Sequence, residues 1–109
     1  MDQVQNHLCD KFHLAREQVA GMLPQFLEAL VGHMTELQRR ADAGDLERLG
    51  RAGHTMKGAL LNLGLDDCVD IAFEIERAGK AHDRSVDYPA LLQKLRMGLG
   101  ELLIEGKES

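Results

Sequence analysis

In the stretch RAGHTMKGALLNLG, Arg51 to Gly64, a histidine stands three residues before a lysine and four before a glycine: His54, Lys57 and Gly58. An exposed imidazole, with a reference pKa of about 6.5, is mostly neutral at pH 7 and is a nucleophile without a base beside it. A lysine one turn away suits a phosphoryl electrophile, because its ammonium can neutralise charge on the equatorial oxygens as the group moves. No serine or carboxylate is placed to make a hydrolytic triad with His54. The residues on its own stripe are Gly50 and Gly58 at four positions and Arg51 and Lys57 at three. His54 would therefore stand on ground cleared of side chains and flanked by two cations. Mid-helix glycines cost about 1 kcal/mol each against alanine, so Gly50, Gly53 and Gly58 together forgo roughly 2–3 kcal/mol. Gly53 would serve close helix packing. Gly50 and Gly58 make sense where another backbone must approach His54. The set reads as a histidine that takes and gives a phosphoryl group inside a protein–protein complex. A solvated histidine on an ordinary helix face fits the same residues.

This chemistry depends on a helix that holds His54 off the core. Leu46, Leu49, Gly53, Met56, Leu60 and Leu63 recur at alternating three- and four-residue steps, the pattern of a bundle-facing seam. At 100° per residue, His54 lies about 140° from the middle of that seam and should face solvent or a shallow rim. Asp45 is the expected N-cap of this helix and Gly64 its stop. Before it, Glu17 to Asp42 is strongly helical, with Pro24 either kinking the helix or opening a new one. Asp2 to Asp10 reads as a short helix with Val4 and Leu8 on one side, and Phe12 and Leu14 follow as core anchors. Asp66 is expected to cap a helix over 67–78 that Gly79 ends, with Cys68, Ile71, Ala72, Ile75 and Ala78 on its buried stripe. A last helix starts near Tyr88–Pro89 and carries Leu91, Leu92, Leu95, Leu99, Leu102 and Leu103. The tail EGKES is expected to fray. The fold class implied is an all-α, antiparallel up-down four-helix bundle with a short additional N-terminal helix, one domain over residues 1–109.

Composition agrees. The 109 residues are 44% hydrophobic and 28% charged but only 4% aromatic, so Leu, Ala, Met and Val must fill the core. Met22, Met34, Met56 and Met97 read as core filler, and Cys68 as a buried small apolar residue. The net charge of −5 argues against nucleic acid, which would need a basic face. No apolar run approaches 18 residues, so no membrane span is expected. The polar N-terminus lacks the regions of a signal peptide. Cys9 and Cys68 form no CxxC pair and read as free thiols of a cytoplasmic protein. The initial Met and polar ends suit a free-standing protein.

The segment HTMKGALLNLGLDDCVDIAFEIERAGK resembles the histidine-containing phosphotransfer (HPt) domain. That family's pattern is H-x-(apolar)-K-G, a further glycine, and an apolar helix ending in (apolar)-E. His54, Met56, Lys57, Gly58, Gly64, Ile75 and Glu76 match it. The likeness covers roughly residues 22–80 by motif and the whole chain by helix layout. It implies that His54 accepts a phosphoryl group on a ring nitrogen from the aspartyl phosphate of a response-regulator receiver domain and passes it to another receiver, in a relay fed by a hybrid sensor histidine kinase. Lys57 would contact the phosphoryl oxygens, and Gly58 would keep the approach open. Mg²⁺ would come from the receiver, so no cofactor is expected here. Glu76 and Lys80 fall on the neighbouring helix, where the family carries polar side chains near the histidine. Gly50, Arg51, Leu61, Glu76 and Lys80 join Gly58 as candidate partner-binding residues, with Arg51, Lys57 and Lys80 making the docking face locally basic. Thr55, Lys57 and Gly58 break the H-(acidic)-(apolar)-R-T-P pattern of histidine-kinase dimerisation domains. No ATP-binding segment is present, so a phosphoryl carrier rather than an enzyme is expected.

Two rival readings stand beside this one. A metal site would draw on His7, Cys9 and His13, but on one helix His7 and Cys9 diverge by about 200°. The chain also has no Glu-x-x-His of the kind that builds di-iron bundles. His13, His33 and His82 read as solvated or rim residues. A non-catalytic helical adaptor, binding a receiver or another protein without phosphotransfer, is the stronger rival and differs from the carrier at His54 alone. A monomer is expected, since one bundle closes its own core.

Overall fold

The computed structural model describes residues 2–108 and contains six helices: α1 (Asp2–Phe12), α2 (Arg16–Asp42), α3 (Leu46–Leu63), α4 (Asp66–Lys80), α5 (Tyr88–Leu99) and α6 (Glu101–Glu108). Helices α2 to α5 form the bundle. The helix α1 lies across α2 and α3, and α6 returns onto α2. One continuous core of Leu, Met, Val, Ile, Ala, Cys and Tyr side chains runs through it. No helix among the described residues is long and apolar enough to cross a membrane.

The helix ends follow local chemistry. The Asp45 carboxylate accepts the Arg48 backbone N–H at the start of α3, and Gly64 ends α3 in the left-handed region at φ 73°. At the start of α5 the Asp87 carboxylate accepts the Ala90 N–H, with Pro89 inside the first turn where its missing donor costs nothing. The helix α2 runs unbroken through Pro24. Val19 and Leu23 on one side of the proline, and Leu27, Leu30, Met34 and Leu37 on the other, are all buried. That continuous stripe offsets the roughly 3 kcal/mol an interior proline costs a helix.

Several expectations are corrected. Leu65 rather than Asp66 occupies the N-cap of α4, and Asp66 and Asp67 sit in its first turn, where their charges favour the helix dipole. Gly79 does not end α4 but is buried within it, since the helix continues to Lys80. The last helix is broken at Gly100, whose φ of 42° turns the chain so that α6 packs on α2. The tail does not fray from residue 105, because α6 extends through Glu108; Ser109 lies outside the described residues, as does Met1. Phe12, Met22 and Met97 are exposed rather than core, at 40%, 37% and 73%. Leu14 packs at the core's edge.

The tightest helix pair is α3 with α4, and glycine makes it so. A Cβ on Gly50 would stand 2.8 Å from the Lys80 backbone nitrogen, and one on Gly53 would stand 2.9 Å from the Glu76 nitrogen. A Cβ on Gly79 would meet the Gly50 backbone at 2.7 Å. Only glycine permits that approach.

Candidate functional site

His54 emerges mid-way along α3 on the flank between α2 and α4. Its side chain is 63% exposed, whereas Leu49, Met56 and Leu60 on the seam are at 0%. The rotation read from the sequence is therefore correct, and the histidine is not a core residue.

One carboxylate organises the site. Glu76 on α4 is buried, at 6% exposure, and is the charged residue among the buried ones of the described residues. Three side chains converge on it. His54 Nδ1 lies 2.9 Å from Oε2, and Lys80 Nζ donates to the same oxygen at 2.8 Å. Lys57 Nζ lies 2.6 Å from Oε1, a close ion pair. Burial pushes the Glu76 carboxyl up. The contacts with Lys57, Lys80 and His54 more than reverse that and hold it at about 2. An ionised carboxylate can only accept, so Nδ1 of His54 must carry the ring proton and donate it. The lone pair is then on Nε2, the far nitrogen of an exposed ring. A buried charge is tolerable only when paired, and two ammonium groups meet this one.

Lys57 is held on a second side as well. Its ammonium lies 5.1 Å from the centroid of the Phe73 ring, a cation–π contact. Phe73 is itself 51% exposed. With 22% of its side chain accessible, Lys57 is restrained beside the histidine rather than swinging in solvent.

On the α2 side, His54 opens onto a groove of about 650 Å³ whose walls include Phe26, His33, Gly58, Leu61 and Asn62. A Cβ on Gly58 would meet nothing within 4 Å, so that glycine leaves open space. Leu61 is 47% exposed in the same groove. His33 is partly buried, and burial lowers its pKa.

Of the six residues expected at a docking face, Gly58 and Leu61 lie beside His54 in the open groove, and the other four are engaged elsewhere. Gly50 is buried against the α4 backbone, so its missing side chain serves helix packing and clears nothing for a partner. Glu76 is too buried to touch a partner and instead orients the site. Arg51 is turned away, its guanidinium donating to Glu47 at 2.9 Å over a shallow depression shared with Arg40 and Arg48. Lys80 keeps 54% of its side chain exposed but is committed to Glu76. The absence of a carboxylate partner for His54 is likewise corrected, for Glu76 reaches it from α4. The sequence reading missed Phe73 as a support of Lys57. Its signal was its place three residues before Glu76, on the same side of α4.

Among the described residues, no group of three or more His, Cys, Asp and Glu side chains could hold a metal ion. Cys68 is buried, and burial raises its thiol pKa, as for an inert core thiol.

No curated protein matches the chain. The fold is similar to the crystal structure of histidine-containing phosphotransfer protein B (HptB) from Pseudomonas aeruginosa PAO1, with a TM-score of 0.80 over 94% of this chain and 89% of that one. At 19% identity this likeness shows the shared architecture. The family model described as "Hpt domain" matches residues 21–104, from the second turn of α2 into α6, and so spans the histidine, its lysine and its glutamate. By that match the chain belongs to the Hpt domain family, the histidine phosphotransfer proteins of phosphorelays.

Proposed function

We propose that His54 is the phosphoacceptor of this phosphotransfer protein and that Nε2 is the reacting atom. The observation that carries the proposal is the hydrogen bond from Nδ1–H to the buried, ionised Glu76. It leaves Nε2 with a free lone pair, so no base is needed to start the reaction. Nε2 attacks the phosphorus of a receiver's aspartyl phosphate. The N–P bond forms as the P–O bond to the carboxyl breaks, and the aspartate leaves as a carboxylate. The ring becomes a phospho-imidazolium whose Nδ1 proton stays where it was, and its new positive charge faces Glu76. The reverse steps deliver the group to a second receiver.

Lys57 is the residue for the phosphoryl oxygens. Its ammonium is one turn from His54 and is positioned by Glu76 and Phe73. As a charged phosphoryl group arrives, Lys57 can lean from one anion to the other while Lys80 remains on Glu76. The Mg²⁺ that accompanies transfer is assigned to the receiver's own acidic pocket. Gly58 and Leu61 are assigned to the docking contact. Receiver domains are thus the partners, and a hybrid sensor kinase is the source of the phosphoryl group.

The test is transfer of label from radiolabelled receiver domains of the source organism to wild type and to His54→Gln. Acid-labile, base-stable label on the wild type alone is the expected result. Label on both proteins would remove His54 from the role. Receivers that bind both proteins and label neither would make the protein an adaptor.

A further inference from the structure

We infer that the last turn of α1, through Lys11, forms part of the receiver-docking surface and tunes which receivers exchange phosphoryl groups with His54. The inference rests on the proposed role of His54 and adds an element that lies outside the matched Hpt segment, which begins at residue 21.

Four observations support it. First, Lys11 lines the same groove as His54, Gly58 and Leu61, so an α1 residue shares the surface a receiver must cover to reach Nε2. Second, α1 is fixed there. Val4 and Leu8 are buried at 3% and 1%. The His7 ring lies so close to Gly64 that a Cβ there would stand 2.6 Å from it. Lys11 Nζ donates to Asn62 Oδ1 at 2.9 Å, one residue beyond Leu61. Third, Lys11 carries an uncompensated charge. Its partner Asn62 is neutral, its other contact is the Phe12 ring at 5.7 Å, and it makes no ion pair among the described residues. Fourth, among the described residues no acid lines the groove although the chain has 18 Asp and Glu residues, the other side chains there being apolar, hydroxyl, amide or histidine.

On the α4 side of His54 the two lysines share one carboxylate, and Arg51 is neutralised by Glu47. Lys11 is therefore the cation left to select by charge on the α2 side. The occupant that fits is a receiver face with apolar side chains for Leu61 and Phe26 and a carboxylate at its edge opposite Lys11. A receiver with a lysine or arginine at that edge would be disfavoured by like-charge contact.

The experiment measures the initial transfer rate against concentration for a panel of phosphorylated receivers, with wild type, Lys11→Ala, Lys11→Arg and Lys11→Glu. Lys94→Glu serves as control, since it changes an exposed charge on α5, which lines no part of the groove. Exposed charge pairs are modest, so Lys11→Ala should raise KM about 2- to 5-fold for preferred receivers with kcat unchanged. Lys11→Glu should raise it about tenfold and reorder the panel, and Lys11→Arg should restore the wild-type order. The salt dependence of KM should weaken in Lys11→Ala, an effect that mere loosening of α1 would not produce. Equal shifts in Lys11→Glu and Lys94→Glu would overturn the inference, as would a loss that Lys11→Arg fails to restore. A wild type that takes no label from any receiver would instead sink the His54 reading, and the role of Lys11 with it.

Discussion

Replacing Glu76 by glutamine removes the charge that holds the site together while keeping its shape. The carboxyl is held at about 2 against its ordinary 4.5, because Lys57, Lys80 and His54 outweigh the effect of burial. A gap of about 2.5 pH units, at about 1.4 kcal/mol per unit, is roughly 3 kcal/mol of folding free energy linked to this one ionisation. The folded value is the lower of the two. The stabilisation is therefore complete above pH 4.5 and is lost as the pH falls toward 2. Chemical unfolding followed by circular dichroism, at steps from pH 7 to pH 2, measures it for wild type and Glu76→Gln. The variant should be less stable at pH 7, by up to about 3 kcal/mol and by less where the amide recovers hydrogen bonds. Between pH 5 and pH 2 the gap should shrink by about 3 kcal/mol, whatever its starting size, since every other carboxylate is common to both proteins. A gap that stays constant across that range would refute the account of Glu76 as an ionised hub. Transfer at pH 7 should also slow in Glu76→Gln, because an amide no longer requires the proton on Nδ1.

Lys57→Ala should slow transfer at saturating receiver about 10- to 100-fold, since it removes a charge aimed at the moving group from a site open to water; an unchanged rate would take Lys57 out of the chemistry. Gly50→Ala should destabilise the fold by about 2–3 kcal/mol, because its methyl would strike the backbone of α4. Its thermal unfolding midpoint should fall by roughly 10 °C. Gly58→Ala should do the opposite, gaining up to about 1 kcal/mol in open space while raising the KM for receivers, so a Gly58→Ala protein with wild-type KM would show that no partner comes close there.

The contrast between those two glycines marks what could be read from the sequence. The seam of α3, the outward rotation of His54, the Asp45 cap and the Gly64 stop all follow from local rules that act within one helix. Gly50 and Gly58 are symmetric about His54 in the sequence and look alike by those rules. They differ because α4 lies against one and nothing lies against the other, a tertiary fact. Gly79 was read as a helix stop for the same reason, since a buried glycine inside a helix and a glycine after it give the same signal. Glu76 was placed on the neighbouring helix, but its burial was not legible. An acidic residue beside Ile75 reads as the polar edge of an amphipathic stripe until the lysines that neutralise it are seen to come from two different helices. Met22 and Met97 failed as core residues because methionine's apolar character says nothing of the side of the helix it occupies.

The adjacency of Gly53 and His54 ties the packing of this bundle to its chemistry. Glu76 meets both. Its backbone nitrogen lies 2.9 Å from where a Cβ of Gly53 would stand, and its carboxylate reaches Nδ1 of His54, the next residue. A glutamate spans only a few ångströms beyond its Cα, so it can touch an outward-facing histidine on another helix only where the two backbones nearly touch. The glycines at 50, 53 and 79 create that approach and thereby let a buried charge act on an exposed ring. The roughly 1 kcal/mol that each glycine costs its helix is thus offset in two ways, by closer packing of α3 on α4 and by a histidine whose reactive nitrogen is fixed before any partner arrives. A bundle with alanine at these positions could still bury its leucines, but Glu76 would stand too far off to set the proton on Nδ1.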